Sequence, residues 1–223
     1  MTTRLSADED PVPSLVRSIL TGSVGFTMAS LCVFSTVAFA ERWMYTYLTP
    51  AGSYLVWIAM FILVGGNFLG SLVTGRWRSP NFYLLFAMAF FAYAVGWISA
   101  YFLLGGTIGE WIGSLFASIL MASVFALGFG IRTAALSFSA VLFVTNSLAY
   151  FLGSTLYNFV HGPAGMVLWG IVYGLFLGAG IGAVLYLATA TGMCGGSTCI
   201  RSIWLTPCPY PRCGQGKRST PLR

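Results

Sequence analysis

The chain has 223 residues, of which 57% are hydrophobic and only 7% charged, with a formal charge of +6. A soluble domain carries roughly a quarter charged residues, so lipid has to cover much of this surface. The basic residues flank apolar segments instead of clustering, which points to headgroups and topology rather than nucleic acid.

Residues 1–18 are polar, with Asp8, Glu9 and Asp10 before Pro11 and Pro13, and read as a disordered cytoplasmic tail. The first apolar run is Ile19 to Ala40. Its end, Ala38-Phe39-Ala40, resembles a signal-peptidase site, but the run is too long for a signal core and its leader is acidic, so it reads as a first membrane span. A second span is expected near 53–75 and a third near 81–104, with Arg76 to Pro80 as the turn between them. From Trp111 to Tyr157 the only charge is Arg132, and the run is long enough for two spans. Gly128, Gly130 and Arg132 divide it into helices near 110–128 and 134–157. His161, Gly162 and Pro163 then break the chain before a sixth span at about 165–190.

That sixth span carries Gly170, Gly174, Gly178 and Gly182 at every fourth position, hence on one helix face. Such a face lets another helix approach backbone to backbone. Ser114, Ser118, Ala122 and Ala126 in the fourth span, and Gly66 and Gly70 in the second, suggest similar contact faces. The expected fold is all-α: a bundle of six transmembrane helices over residues 19–190, with tails at 1–18 and 191–223. Phe68-Leu69-Gly70-Ser71 recurs as Phe151-Leu152-Gly153-Ser154, and the same offset pairs Gly22 with Gly105 and Pro80 with Pro163. That register would lay two inverted three-helix repeats over each other.

With the N-terminus inside, ten of the eleven basic residues lie on the cytoplasmic side and only Arg42 outside. The positive-inside rule then puts both termini in the cytoplasm of a multi-pass membrane protein. Trp43, Tyr45, Tyr54, Trp57, Trp97, Tyr101, Trp111, Tyr157 and Trp169 would form a belt at the outer interface.

Few residues here suit chemistry. Three of the five acids are in the N-terminal tail, leaving Glu41 and Glu110 at outer ends of spans. His161 is the one histidine and Lys217, in the C-terminal tail, the one lysine. Haem held by two histidines of one subunit is excluded, as are an intramembrane Schiff base and a Ser/His/Asp set at one depth. No catalytic residue, resident metal or cofactor is expected, and the chain does not read as an enzyme. Cys194, Cys199, Cys208 and Cys213 are spaced C-x4-C-x8-C-x4-C, without the short knuckles of usual zinc sites, in a basic tail suited to anionic lipid. Cys32 reads as a packing residue.

What remains are neutral polar groups inside spans. Asn67 and Asn146 each need a partner or a wet cavity. Ser139, Asn146, Tyr150, Ser154, Tyr157 and His161 recur at helical steps, so the fifth span carries a polar stripe. Glu110, Glu41 and His161 would approach one another at its outer end. Asn67, Asn146, Tyr150, Ser154, Glu110 and His161 are therefore the candidate lining residues of a path for a neutral or weakly charged solute, and a small permease or channel is the expected function. The competing expectation is a membrane scaffold or accessory subunit, docking a partner or a second copy through the glycine face.

Overall fold

In the computed structural model, residues 13–73 and 80–193 are described. Among them there are α-, π- and 3-10-helical turns and no strand. The helices are α1 (Leu15–Met60), α2 (Gly66–Leu69), α3 (Pro80–Leu104), α4 (Gly106–Gly128), α5 (Ala135–Val160) and α6 (Gly162–Met193). A π-helical turn, Phe61–Gly65, joins α1 to α2, and a 3-10 turn, Gly70–Leu72, follows it. Five helical stretches are therefore long and apolar enough to cross a membrane: Leu15–Leu72 and α3 to α6. Their outward faces carry large apolar side chains such as Val16, Leu84, Leu103, Leu136 and Phe159, the pattern of a bundle with lipid as its solvent.

The first stretch is bent double. Thr49 has φ 61° and ψ 163°, and Pro50 follows it. Proline lacks the N–H that would continue the helix and disfavours helical geometry in the residue before it. Thr49 then serves the second limb as a cap, since its hydroxyl accepts from Gly52 N at 3.4 Å and its carbonyl from Ser53 Oγ at 2.9 Å. Trp57 Nε1 donates to Thr36 Oγ1 at 2.9 Å. In a straight helix those residues would stand about 30 Å apart, so the two limbs run antiparallel.

Two other breaks have the same form. Gly105 has φ 65° and ψ 166°, and His161 has φ 53° and ψ 164°. Each break residue gives its N–H to the carbonyl four residues back, Tyr101 or Tyr157, and accepts from the N–H four residues on, Gly109 or Gly165. One residue thus ends one helix and starts the next. Positions 49, 105 and 161 are 56 residues apart in each step. The same interval relates Tyr45, Tyr101 and Tyr157, and also Phe26, Phe82 and Phe138, whose side chains are at most 1% exposed.

Several boundaries differ from those expected. Helix α1 begins at Leu15, inside the segment read as a tail, capped by Ser14. It continues through Glu41 and Arg42, where charge suggested a loop, up to the break at Thr49. Helix α4 starts at Gly106 instead of near 110, because Gly105 turns the chain alone. Cys32 is exposed on the outside of α1 rather than packed. Of the positions paired at the 83-residue offset, Gly22 lies inside α1 while Gly105 is a break; Pro80 opens α3, and Pro163 stands in the first turn of α6. The turn at 76–79, most of the N-terminal tail and the four tail cysteines lie outside the described residues.

Helix α6 is the most enclosed: 61% of its apolar window is buried, against 33–44% elsewhere. Its glycines meet the first limb of α1. A Cβ on Gly170 would stand 2.7 Å from Phe34 Cβ, one on Gly178 2.8 Å from Phe26 Cβ, and one on Gly182 2.9 Å from Ser18 C. At Gly174 it would meet the Thr27 backbone itself. Ser23 Oγ spans the contact to Leu175 O at 3.1 Å. Elsewhere Gly66 faces Tyr83 and Phe86 of α3, and Gly96 faces Ala117 and Leu120 of α4. Phe26, Phe61 and Phe90 fill the centre, with ring centroids 5.1–5.8 Å apart.

Candidate functional site

Asn146 lies at the heart of the bundle, with no exposed surface. A buried amide needs partners for its oxygen and its nitrogen, and two other helices, α3 and α4, supply them. Tyr93 of α3 donates its hydroxyl to Asn146 Oδ1 at 2.6 Å. Asn146 Nδ2 donates to Ser114 Oγ of α4 at 2.9 Å. The Tyr173 hydroxyl of α6 lies 2.6 Å from that of Tyr93. Because the Tyr93 proton is committed to Asn146, Tyr173 is the donor of that pair. Ser114 Oγ also lies 2.9 Å from Ser147 Oγ. A five-residue network therefore ties α3, α4, α5 and α6 at one level, next to the Phe61 and Phe90 rings.

All five residues stand 9 to 15 positions from the nearest break at Gly105 or His161. At 1.5 Å per residue this is about 14–22 Å along the helices, which brackets the middle of a hydrocarbon core about 30 Å thick. One turn of α5 nearer the breaks, Tyr150 donates to Glu110 Oε1 at 3.0 Å. Around that pair the rings of Trp97 and Trp169 lie 5.0 and 5.5 Å from Tyr150. Trp169 fits there because Gly153 has no side chain: a Cβ would come 2.6 Å from the indole nitrogen. That indole N–H is buried without a partner among the described residues.

The expected lining residues thus separate into groups. Asn146, Tyr150 and Glu110 belong to one polar column inside the bundle. Ser154 is half-buried and makes no hydrogen bond among the described residues. Asn67 is exposed on α2 and makes none either. His161 is the exposed break residue, its ring 6.5 Å from that of Tyr157. Glu110, Glu41 and His161 do not pair: Glu110 is held by Tyr150, Glu41 lies beside Tyr45, and His161 lies beside Tyr157. Ser139 bonds its own helix at Ala135 O.

Tyr93, Tyr173 and Ser147 carry no comparable signal in the sequence. Each sits in an apolar run where a hydroxyl gives little contrast. The rings of the expected belt divide: Trp57 is buried at 7% exposed, Trp43, Tyr101 and Trp111 are exposed, and the others are half-buried. Among the described residues no three histidine, cysteine or acidic side chains meet in a way that could hold a metal. Comparison with protein families, curated proteins and solved structures finds no match for this chain.

Proposed function

We propose that this membrane protein is a small permease or channel-like protein for a neutral or weakly charged solute. The observation that carries this reading is the enclosed polar column, Glu110–Tyr150 followed by Tyr173–Tyr93–Asn146–Ser114–Ser147. It contains one carboxylate and otherwise only hydroxyls and an amide. Such groups exchange hydrogen bonds with an uncharged solute without the desolvation cost an inorganic ion would bring.

Each limb of Leu15–Leu72, on either side of Thr49, has the length to cross a bilayer once, which supports a reading of six crossings. The 56-residue interval favours three tandem hairpins over two inverted halves. It sets Gly66, Ala122 and Gly178 in register, and likewise Gly70, Ala126 and Gly182. Arginine asymmetry orients both termini to the cytoplasm and the breaks at Thr49, Gly105 and His161 to the outside.

The alternative is a scaffold or accessory subunit that docks a partner or a second copy through α6. It has less support, because the glycine face of α6 is filled by the chain's own first limb. Uptake of glycerol and urea into proteoliposomes tests the proposal. Uptake above protein-free vesicles that falls with Asn146→Leu supports it. Uptake at the protein-free level, with a stoichiometric partner retained in mild detergent, overturns it.

A further inference from the structure

Each hairpin brings one tyrosine and one tryptophan together just below its break. Tyr45 and Trp57 have ring centroids 6.1 Å apart, Trp97 and Tyr101 5.2 Å, and Tyr157 and Trp169 5.9 Å. The tyrosines stand four residues before the breaks and the tryptophans eight residues before or after them. All six rings therefore lie within about 12 Å of the tight-turn end. Tyr150 touches Trp97 of one pair and Trp169 of another.

Each of the two carboxylates of the described helices lies beside a tyrosine of this end. Glu110 is half-buried on the Tyr150 hydroxyl, and Glu41 is exposed beside Tyr45. The bases at the same end, Arg42 and His161, are exposed, and neither forms an ion pair with either carboxylate among the described residues. Negative ring faces and unneutralised carboxylates favour the same kind of guest, a cation too weakly hydrated to resist leaving water. An alkali ion would lose more hydration than the rings return. A methylated or alkylated ammonium presents a large, soft, positive surface that they can cover.

We infer that the aromatic cluster formed by Trp97–Tyr101, Tyr150, Tyr157–Trp169 and Glu110 is a binding site for a small organic ammonium ion. The site deepens the permease reading by narrowing its weakly charged solutes to organic cations of diffuse charge, and it rests on that reading only for passage beyond the site. Binding and uptake are therefore measured separately.

Tryptophan fluorescence of the full-length protein in mild detergent is titrated with tetramethylammonium chloride. Sodium chloride at matched ionic strength and tert-butanol, a neutral molecule of similar bulk, are titrated in parallel. The expected result is a saturable change with tetramethylammonium alone. Removal of one ring face or one charge weakens binding by about three- to thirty-fold, in Tyr101→Leu and in Glu110→Gln. Tyr101 is 37% exposed and replaceable without opening the core, so it serves even where the Glu110 variant fails to fold. A response shared by tert-butanol or sodium chloride, no saturation, or unchanged affinity in Tyr101→Leu overturns the assignment. Saturable binding without uptake of radiolabelled tetramethylammonium into proteoliposomes keeps the site and refutes transport of this class of solute.

Discussion

Gly174→Ala adds one methyl group where α6 crosses the first limb of α1. The new carbon would sit 2.9 Å from Thr27 N and 3.0 Å from Phe26 O, and closer still to Thr27 Cα. Ordinary contact begins at 3.4 Å, so the two backbones must part by half an ångström or more. No flexible side chain can absorb the shift, because the neighbours are main chain on both sides. Overpacking of this kind costs about 1–3 kcal/mol. Separation also lengthens the Ser23–Leu175 hydrogen bond, now 3.1 Å, worth up to about 1 kcal/mol. Against this, alanine favours helix over glycine by about 1 kcal/mol. The net loss is up to about 3 kcal/mol, or up to roughly 12 °C in melting temperature for a chain of this size. Gly70→Ala is the control, since its methyl would meet Phe82 at an ordinary 3.6 Å. Thermal unfolding in mild detergent, followed by tryptophan fluorescence, compares them. If Gly174→Ala melts at or above the parent and no lower than Gly70→Ala, close backbone approach is not what holds α6 in place.

Tyr93→Phe leaves Asn146 Oδ1 and the Tyr173 hydroxyl without their shared partner, and should cost about 1–3 kcal/mol and melt several degrees lower by the same assay; an unchanged melting point would mean the network adds no stability. His161→Gly should raise stability by about 1 kcal/mol, because φ 53° with ψ 164° is a region that strains every residue but glycine, and a lower melting point would show that the histidine ring is needed. Single cysteines at Gly52, Gly106 and Gly162, in a background without native cysteines, should react with an impermeant thiol reagent from outside intact cells, and one at Ser79 should not; labelling at Ser79 refutes the six-crossing topology.

The sequence and the structure agree most closely where backbone chemistry punctuates the chain. His161-Gly162 is the break that residue type marks in advance; Pro50 and Gly105 turn the chain for equally plain backbone reasons, although the expected spans only begin or end near them, at 53 and 104. The charged pair Glu41 and Arg42 misleads, because charge ends a membrane segment without ending a helix. Asn146, Tyr150 and Glu110 are legible because they share one helical face or its neighbour. Tyr93 and Tyr173 are not, because α3 and α6 are apolar all round and periodicity has no contrast there. Asn67 fails because a lone polar residue in an apolar run does not reveal which side of its helix it takes; it stands on the exposed side of α2, beside buried Gly66 and Leu69.

The three hairpins share their turns, their buried phenylalanines and their small-residue faces, so what differs among them bears on function more than what recurs. At the level of Asn146 the equivalent residues are Phe34 and Phe90; at that of Tyr93 they are Val37 and Ala149; at that of Tyr173 they are Phe61 and Ala117. Two hairpins therefore contribute apolar groups at each of these positions, while one contributes a polar group. Had packing alone been at stake, a phenylalanine or a small residue in all three would have filled the same space without the cost of burying an amide and two hydroxyls. Those exceptions come from two hairpins, Tyr93 from α3–α4 and Asn146 and Tyr173 from α5–α6, yet they meet in one network near mid-depth. Directly above it Glu110 replaces Tyr54 and Met166 of the other two. Departures scattered by drift would have no reason to converge on one column, and that convergence is the physical ground for seeking solute binding there rather than at the lipid-facing surface.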